Sequence, residues 1–428
     1  MTASLAAFLA FVAIGVPIAF ALGTAAAIGL MLMSGAPISM VASRTFGAID
    51  SFTLLAIPFF ILAGELMETG GISQRLIGLA RALVGHIRGG LGNVTIFGMV
   101  LFSGISGSTQ ADAAAVGSLM IPSMRRHGYS AAQAAAIVAA AAGLGILVPP
   151  CLTMVVYGSI TNVSIGALFA AGFLPAFAMA IALAIHQMIV ARRAGLVPEP
   201  RAGLRDVVRA VGSSFWALLM PVIIFGGILG GVFTPTEAAV VAAVYALIVG
   251  AFIYREITLA YVYRTLVRTG VVTGVVMLMI AGANILSWIM TIQRVPHAIA
   301  AAILDLGGGP TLFMLLSVIV FLIVFALLDG LPGMLMLAPV FVPIAQQLGI
   351  DLLHYGIVMT TVMGIALFLP PLGVGLFIVL GIAGCSLREV TRELMPYIAT
   401  MLVIALIIAF VPAITFALPR LLGLYAGP

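Results

Sequence analysis

The prolines of this chain repeat in register. Pro122, Pro149, Pro150 and Pro175 recur as Pro343, Pro370, Pro371 and Pro396, each 221 residues on and with no gap. Gly128 and Gly143 keep the same offset to Gly349 and Gly364. A period of this kind predicts two copies of one unit. In each copy a proline pair ends an apolar run, removing two backbone donors and breaking the helical ladder. Upstream of each pair lies a run of turn-forming residues, SGISGSTQAD at 103–112 and LLDGLPG at 327–333. Backbone this irregular inside apolar segments is tolerated at membrane depth only where protein or a watery cavity surrounds it. Interrupted apolar segments at corresponding positions of two halves mark a transporter's binding site.

The segments are apolar enough for that setting. The chain of 428 residues is 63% hydrophobic and 7% charged, whereas soluble domains carry about 25% charged residues. The expected fold is an all-α polytopic membrane protein, since the segments are too long and too unalternating for a β-barrel. All 18 basic residues are arginine, and the net charge of +5 reflects basic loops on one side of a bilayer, not a nucleic-acid surface. Cys151 and Cys385 lie in apolar segments and define neither a disulfide framework nor a metal site. The N-terminal stretch lacks a basic leader region and reads as a retained membrane segment.

The first unit is expected over 1–190. It contains one long or two short crossings in 4–34, with the match to the second half favouring two, and a crossing at 52–70. An interfacial helix follows at 72–88, with Ile72, Leu76, Leu79, Leu83 and Ile87 on one face and Arg81 and Arg88 opposite. Two half-length pieces, 91–102 and 110–124, form a re-entrant hairpin (91–124), followed by a broken helix (130–163) and a crossing at 166–190. A polar linker occupies 191–210. The second unit, 211–428, has crossings at 213–234, 236–254 and 271–293 and an interfacial segment at 296–309. A hairpin (310–346), a broken helix (352–384) and a crossing at 396–418 complete it. The plan totals about ten crossings plus two hairpins.

Arginine placement predicts that the units are inverted. Arg88, Arg125 and Arg126 flank the first hairpin, while Gly309, Gln346 and Gln347 hold the matching places of the second. The first hairpin's base and the linker are then cytoplasmic and the 345–352 loop is outside, with Arg44, Arg294 and Arg420 as exceptions. Inverted repeats with hairpins and broken helices describe a secondary transporter.

A small hard cation such as Na⁺ needs oxygen ligands, and a broken helix offers last-turn carbonyls that have lost their partners. The candidates in the first unit are Ser103, Ser106, Gly145, Val148 and Pro150. Those in the second are Gly330, Ala366, Leu369 and Leu372. The same serines and glycines could instead serve close helix packing. An anionic substrate favours the N-terminal ends of the hairpins' second arms. Its candidates are Ser108, Thr109, Asp112, Asp329, Pro332 and Gly333, the two aspartates also standing out as intramembrane carboxylates. Glu65 and Glu68 could cap the next helix. Na⁺ is the expected coupling ion, and no cofactor is expected.

FSGISGSTQADAAAVGSLMIPSMRRHGY (102–129) with GLGILVPPCLTMVVYG (143–158) resembles the large membrane subunit of tripartite ATP-independent periplasmic (TRAP) transporters. GGVFTPTEAAVVAAVYALIVG (230–250) and LLDGLPGMLMLAPVFVPIA (327–345) resemble further motifs of that family, so the likeness covers essentially the whole chain. It implies an elevator-type transporter of the inner membrane. It also implies Na⁺-driven uptake of an organic anion, usually a carboxylate, delivered by a periplasmic binding protein, with a separate small membrane subunit as partner. Two positions depart from the family pattern: Cys151 stands where serine is usual and Leu369 where threonine is usual. Single-component carboxylate symporters share the hairpin architecture and are the alternative class. A more distant alternative is an intramembrane serine protease, on the strength of the motif Gly104-Ile105-Ser106-Gly107 with His186 as a base.

Overall fold

A computed structural model describes residues 7–8, 10–12, 14–31, 39–68, 72–196, 198–305 and 307–427. Positions 4–6, 9, 13 and 32–34 of the first apolar stretch, 69–70 of the next crossing and 306 of the interfacial segment lie outside the described residues. The described residues form helices and contain no strand.

The first helices are α1 (Ile18–Met31), α2 (Ser39–Ile49), α3 (Ala56–Glu68) and the interfacial α4 (Ile72–Val84). The first hairpin is α5 (Gly90–Ser106) and α6 (Thr109–Arg126); the first broken helix is α7 (Ala131–Gly145) and α8 (Leu152–Thr161). α9 (Ile165–Arg193) closes the first half. The second half runs α10 (Leu204–Leu229), α11 (Pro235–Ile248), α12 (Leu259–Ile292) and α13 (Val295–Asp305). Its hairpin is α14 (Gly309–Leu328) and α15 (Gly330–Gln347), its broken helix α16 (Leu352–Ala366) and α17 (Val374–Ala383), followed by α18 (Leu387–Phe410) and α19 (Ala413–Leu421).

The proline register reappears as helix boundaries. α6 and α15, and α7 and α16, begin and end 221 residues apart. Their caps also correspond: the Ser130 side chain accepts from Gln133 N at the start of α7, and the Asp351 side chain accepts from Leu353 N at the start of α16. Past the breaks the helix starts are 222 residues apart, because the second break holds one more residue before its helix resumes, although Pro175 and Pro396 keep the 221-residue register.

The two broken helices cross at the glycines that the register pairs. A Cβ on Gly143 would stand 2.8 Å from the Gly364 carbonyl oxygen, and one on Gly364 would land on the Gly143 carbonyl. Past this crossing α8 lies antiparallel to α16. Thr153 Oγ1, near the start of α8, contacts Met363 Sδ at 3.9 Å near the end of α16, and Tyr157 OH, further along α8, donates to Leu352 O at 2.8 Å at its start. The hairpins pack against this pair. Phe313 and Phe321 of α14 pack on Tyr355 of α16 and on Phe341 of α15, with the Phe313 and Tyr355 rings stacked 5.8 Å apart, and the Tyr355 hydroxyl donates to Ser317 Oγ.

The remaining long helices flank this core. α1 meets α12 backbone to side, Gly282 resting on Gly23, and α3 packs on α11 and α12. α4 buries Ile72, Leu76, Leu79 and Ala80, but it stops at Val84, leaving Leu83 and Ile87 exposed. The expected apolar face therefore runs one turn too far. Gly85 and Gly89 end the helix, and Arg81 swings to Glu199, which it binds through Nε at 2.7 Å.

Other boundaries differ from expectation for local reasons. α2 was not foreseen; it joins the following helix at a 61° bend, and its polar residues weaken the apolar signal. The linker shrinks to 194–203, because LRDVVRA opens α10 with Asp206 in its first turn. The last crossing starts at Leu387, capped by Ser386, and ends at Phe410 before Pro412. Among the described residues, seven helices are long and apolar enough to cross a membrane, or eight if the bent pair counts as one span. Both arms of the second hairpin are among the seven, while the two pieces of each broken helix, 15 and 10 residues long, are too short to count individually.

The crossing of α7 and α16 tolerates no side chain. Gly364→Ala should cost about 1–3 kcal/mol by overpacking, read as a lower melting midpoint of the purified protein in detergent. Gly270→Ala on α12, where nothing lies within 4 Å, should leave the midpoint in place.

Candidate cation and substrate site

Both hairpin tips are tighter than their sequences suggest. SGIS at 103–106 is not a turn but the last turn of α5, ended by Gly107 in the left-handed region (φ 64°), and α6 begins two residues later. The second tip is the single residue Asp329, at φ 68°. The arms are correspondingly longer, 17 and 18 residues in the first hairpin and 20 and 18 in the second, so the expected half-length pieces are not found.

With α5 helical through Ser106, Ser103 and Ser106 share one face and point at the first turn of α6. Both hydroxyls donate to the carboxylate of Asp112, Ser103 to Oδ2 and Ser106 to Oδ1. Ser103 and Asp112 are almost fully buried, at 0% and 1% exposure. Gly145, the last residue of α7, closes the cluster: a Cβ there would land on Ser103 Oγ and stand 3.1 Å from Asp112 Oδ2. The break itself wraps the tip. Val148 lies against Gly104, and the Pro150 carbonyl would meet a Cβ on Gly107 at 3.0 Å. Ser103, Ser106, Gly145, Val148 and Pro150 are thus brought together. Asp112 joins them instead of the substrate candidates, because the helical phase of α6 turns it inward. Both proline pairs are joined by cis peptide bonds.

The second break is built differently. Ala366 O accepts from Leu369 N at 3.1 Å as Gly145 O does from Val148 N at 2.9 Å, but Leu367 O also accepts from Gly375 N at 3.0 Å and Leu369 O from Gly373 N at 2.8 Å. Gly330 rests on Met363 and Leu367 side chains, and Leu372 is exposed. Gly330, Ala366, Leu369 and Leu372 are therefore near one break, but around it stand a thioether and leucines where the first break has hydroxyls and a carboxylate. The Asp329 side chain is engaged in the turn, Oδ1 accepting from Gly330 N at 2.7 Å and from Gln110 Nε2 at 3.0 Å. Gln110, absent from the sequence-derived candidates, thereby joins the two tips.

A cavity of about 400 Å³ lies beside the first tip. Ser106, Ser108, Gln110 and Pro150 line it, and so do Glu65 and Arg268, joined by a 3.2 Å ion pair. Ser108 caps α6 without using its side chain for the cap, and Thr109 is buried beside it. Pro332 and Gly333 do not line this cavity; Gly333 packs on Phe325. Glu65 binds Arg268 and does not cap a helix. A second cavity, of about 410 Å³, opens along α12 beyond the first, between Asn162, Asn284 and Pro343. The Ser106–His186 pairing of a protease is not assembled, since Ser106 donates to Asp112 while His186 Nδ1 lies 2.9 Å from Thr400 Oγ1.

Residues 5–414 match the family model described as tripartite ATP-independent periplasmic transporter, DctM component. The chain belongs to this family. It is a transporter subunit, not an enzyme, and a multi-pass protein of the inner membrane. It is similar to the C4-dicarboxylate TRAP transporter large permease protein DctM of Pseudomonas aeruginosa, 42% identical over 94% of each chain. It is also similar to the isethionate TRAP transporter permease protein DctMQ of Oleidesulfovibrio alaskensis, 40% identical over 95% of this chain and 64% of that one. The crystal structure of the Alcanivorax borkumensis YdaH transporter shares the fold, with a TM-score of 0.71 over 96% of this chain and 99% of that one at 16% identity. TRAP family members work with a small permease subunit and a periplasmic binding protein.

In this large permease, Cys151 is the buried N-cap of α8 and makes no side-chain cap hydrogen bond, where the family's usual serine would offer one. The tight contact at Gly145 gives a direct test. Gly145→Ala should push Ser103 off Asp112 and lower transport about tenfold or more, measured as uptake per amount of permease in the membrane. Uptake unchanged in that variant would mean the cluster is not part of the pathway.

Proposed function

We propose that this chain is the Na⁺-coupled translocation subunit for a small organic anion, a carboxylate or a sulfonate. The observation that carries the reading is the cluster of Ser103, Ser106 and Asp112 closed by Gly145 and backed onto the cavity wall at the same hairpin tip. Two hydroxyls, a carboxylate and the carbonyls of a helix break are hard oxygens in a water-poor place, the donor set that suits Na⁺. A cation there neutralises the buried carboxylate and holds Gly107 and Ser108 in place. The N-terminus of α6 then faces the cavity with Ser108 and Gln110, and a helix N-terminus favours an anion. Relatives named for a C4-dicarboxylate and for isethionate support an organic anion as cargo.

The second break, with Met363 and leucines where the first has hydroxyls and a carboxylate, and with Leu369 in place of threonine, is the weaker cation site. The movement is an elevator: hairpins and broken helices travel as one packed block against α1, α3, α11 and α12. The anion arrives from a periplasmic binding protein, and a small membrane subunit completes the fixed part.

Uptake by the assembled three-component system against Na⁺ concentration tests the coupling. Ser106→Ala removes one neutral ligand contact, worth about 1 kcal/mol or somewhat more, and should raise the half-saturating Na⁺ concentration roughly five- to tenfold. Asp112→Asn should raise it by more, roughly tenfold to a hundredfold. Unmoved curves in Ser103→Ala, Ser106→Ala and Asp112→Asn would put the cation elsewhere. Equal uptake driven by a proton gradient without Na⁺ would make Asp112 a proton carrier and overturn Na⁺ coupling.

A further inference from the structure

The ion pair in the cavity is unusual in its placement. Glu65 and Arg268 are the only charged residues among the described residues that line it. Arg268 lies nine residues into α12, about 14 Å from the start of that helix. Glu65 lies one turn before the end of α3. Arg75 follows the end of α3 and Arg255 precedes the start of α12, on the side where arginine is expected to mark the cytoplasm, so the pair stands at the exit end of the pathway. The two partners are unequally placed. The Glu65 side chain is 17% exposed, the Arg268 side chain 67%. The contact runs through Arg268 Nε at 3.2 Å, on the stem side of the guanidinium, which leaves the outer edge of the fork in the open. That edge is the part that binds carboxylates and sulfonates by two parallel N–H bonds. Ser106, Ser108 and Gln110 of the hairpin line the same cavity.

We propose that Arg268 is the exit-side anchor for the anionic group of the cargo, and that Glu65 is its built-in competitor. The inference rests on the anion-carrying reading given above. Arg268 sits on α12, which packs with α1 and α3, whereas the polar wall belongs to the hairpin. An anion held by Ser108 and Gln110 therefore meets the guanidinium only when the hairpin tip is level with it, as in this structure. Glu65 already occupies one side of the fork, so the incoming anion must share or displace a carboxylate. The attraction is then strong enough to draw the anion off the hairpin and too weak to retain it. An arginine alone would hold the anion and slow release; a neutral residue would not draw it across.

The measurement is trans-inhibition in proteoliposomes holding the complete system, with succinate and isethionate as the probe anions. The quantity read is the internal anion concentration that halves uptake. Arg268→Gln should raise it about five- to tenfold. Glu65→Gln should lower it several-fold, because the anchor is released from its competitor. The double variant should follow Arg268→Gln, and the external half-saturating concentration of loaded binding protein should stay put in all three. Should Arg268→Gln fail to reach the membrane, Glu65→Gln decides alone, since a structural brace predicts weaker function and the anchor predicts tighter internal binding. Both single variants moving the same way, or neither moving while uptake persists, would overturn the anchor and leave the transport reading intact. A wild-type system that takes up neither probe nor any other organic anion would overturn the transport reading and the anchor with it.

Discussion

The contact between Gly143 and Gly364 sets the positions of everything that carries chemistry. Two helices can approach backbone to backbone only where neither has a side chain, and here the residues that meet are the same residue of the two units. Both helices end two residues beyond their glycine, so fixing the crossing also fixes both breaks at one level. The hairpin tips then dock where the helical ladder stops. Gly145 needs the same absence of a side chain for a different reason: it makes room for Ser103 and Asp112. One close contact at the core thus becomes an oxygen-lined pocket one turn away.

From that common plan the halves diverge in chemistry. The first tip uses Gly107 for the sharp turn, which leaves Ser103, Ser106 and Asp112 to face one another. The second tip turns on Asp329 itself, whose carboxylate is engaged in holding Gly330 N and Gln110. A side chain committed to a turn is a poor ligand for a moving ion, and the leucines and Met363 beside it do not replace it. The hydrogen bond from Gln110 to Asp329 joins the tips of the two hairpins directly, so a change at the first tip is felt at the second through one contact.

Much of this was legible in the sequence. The proline offset located both breaks, and the glycine pairs located the crossing, because Pro and Gly constrain backbone wherever they stand. The tips were misjudged because Gly and Ser are read as turn residues, whereas Ser103 and Ser106 remain helical when their hydroxyls have a carboxylate to bind. That misjudgement also separated Asp112 from the serines: only with α5 helical through Ser106 do both hydroxyls face that carboxylate. Gln110 gave no signal, since a lone glutamine is meaningful only beside Asp329, 219 residues away. Arg268 is not among the sequence-derived candidates, since its pairing with Glu65 depends on the packing of α3 against α12.

Ion occupancy of the first break is the central claim, and hydrogen exchange of the purified permease in NaCl against KCl reads it without any transport assay. The account predicts that Na⁺ slows exchange in 103–112 and 145–151 together, with little change at 329–333. Equal exchange in the two salts, or protection confined to the second tip, would contradict it.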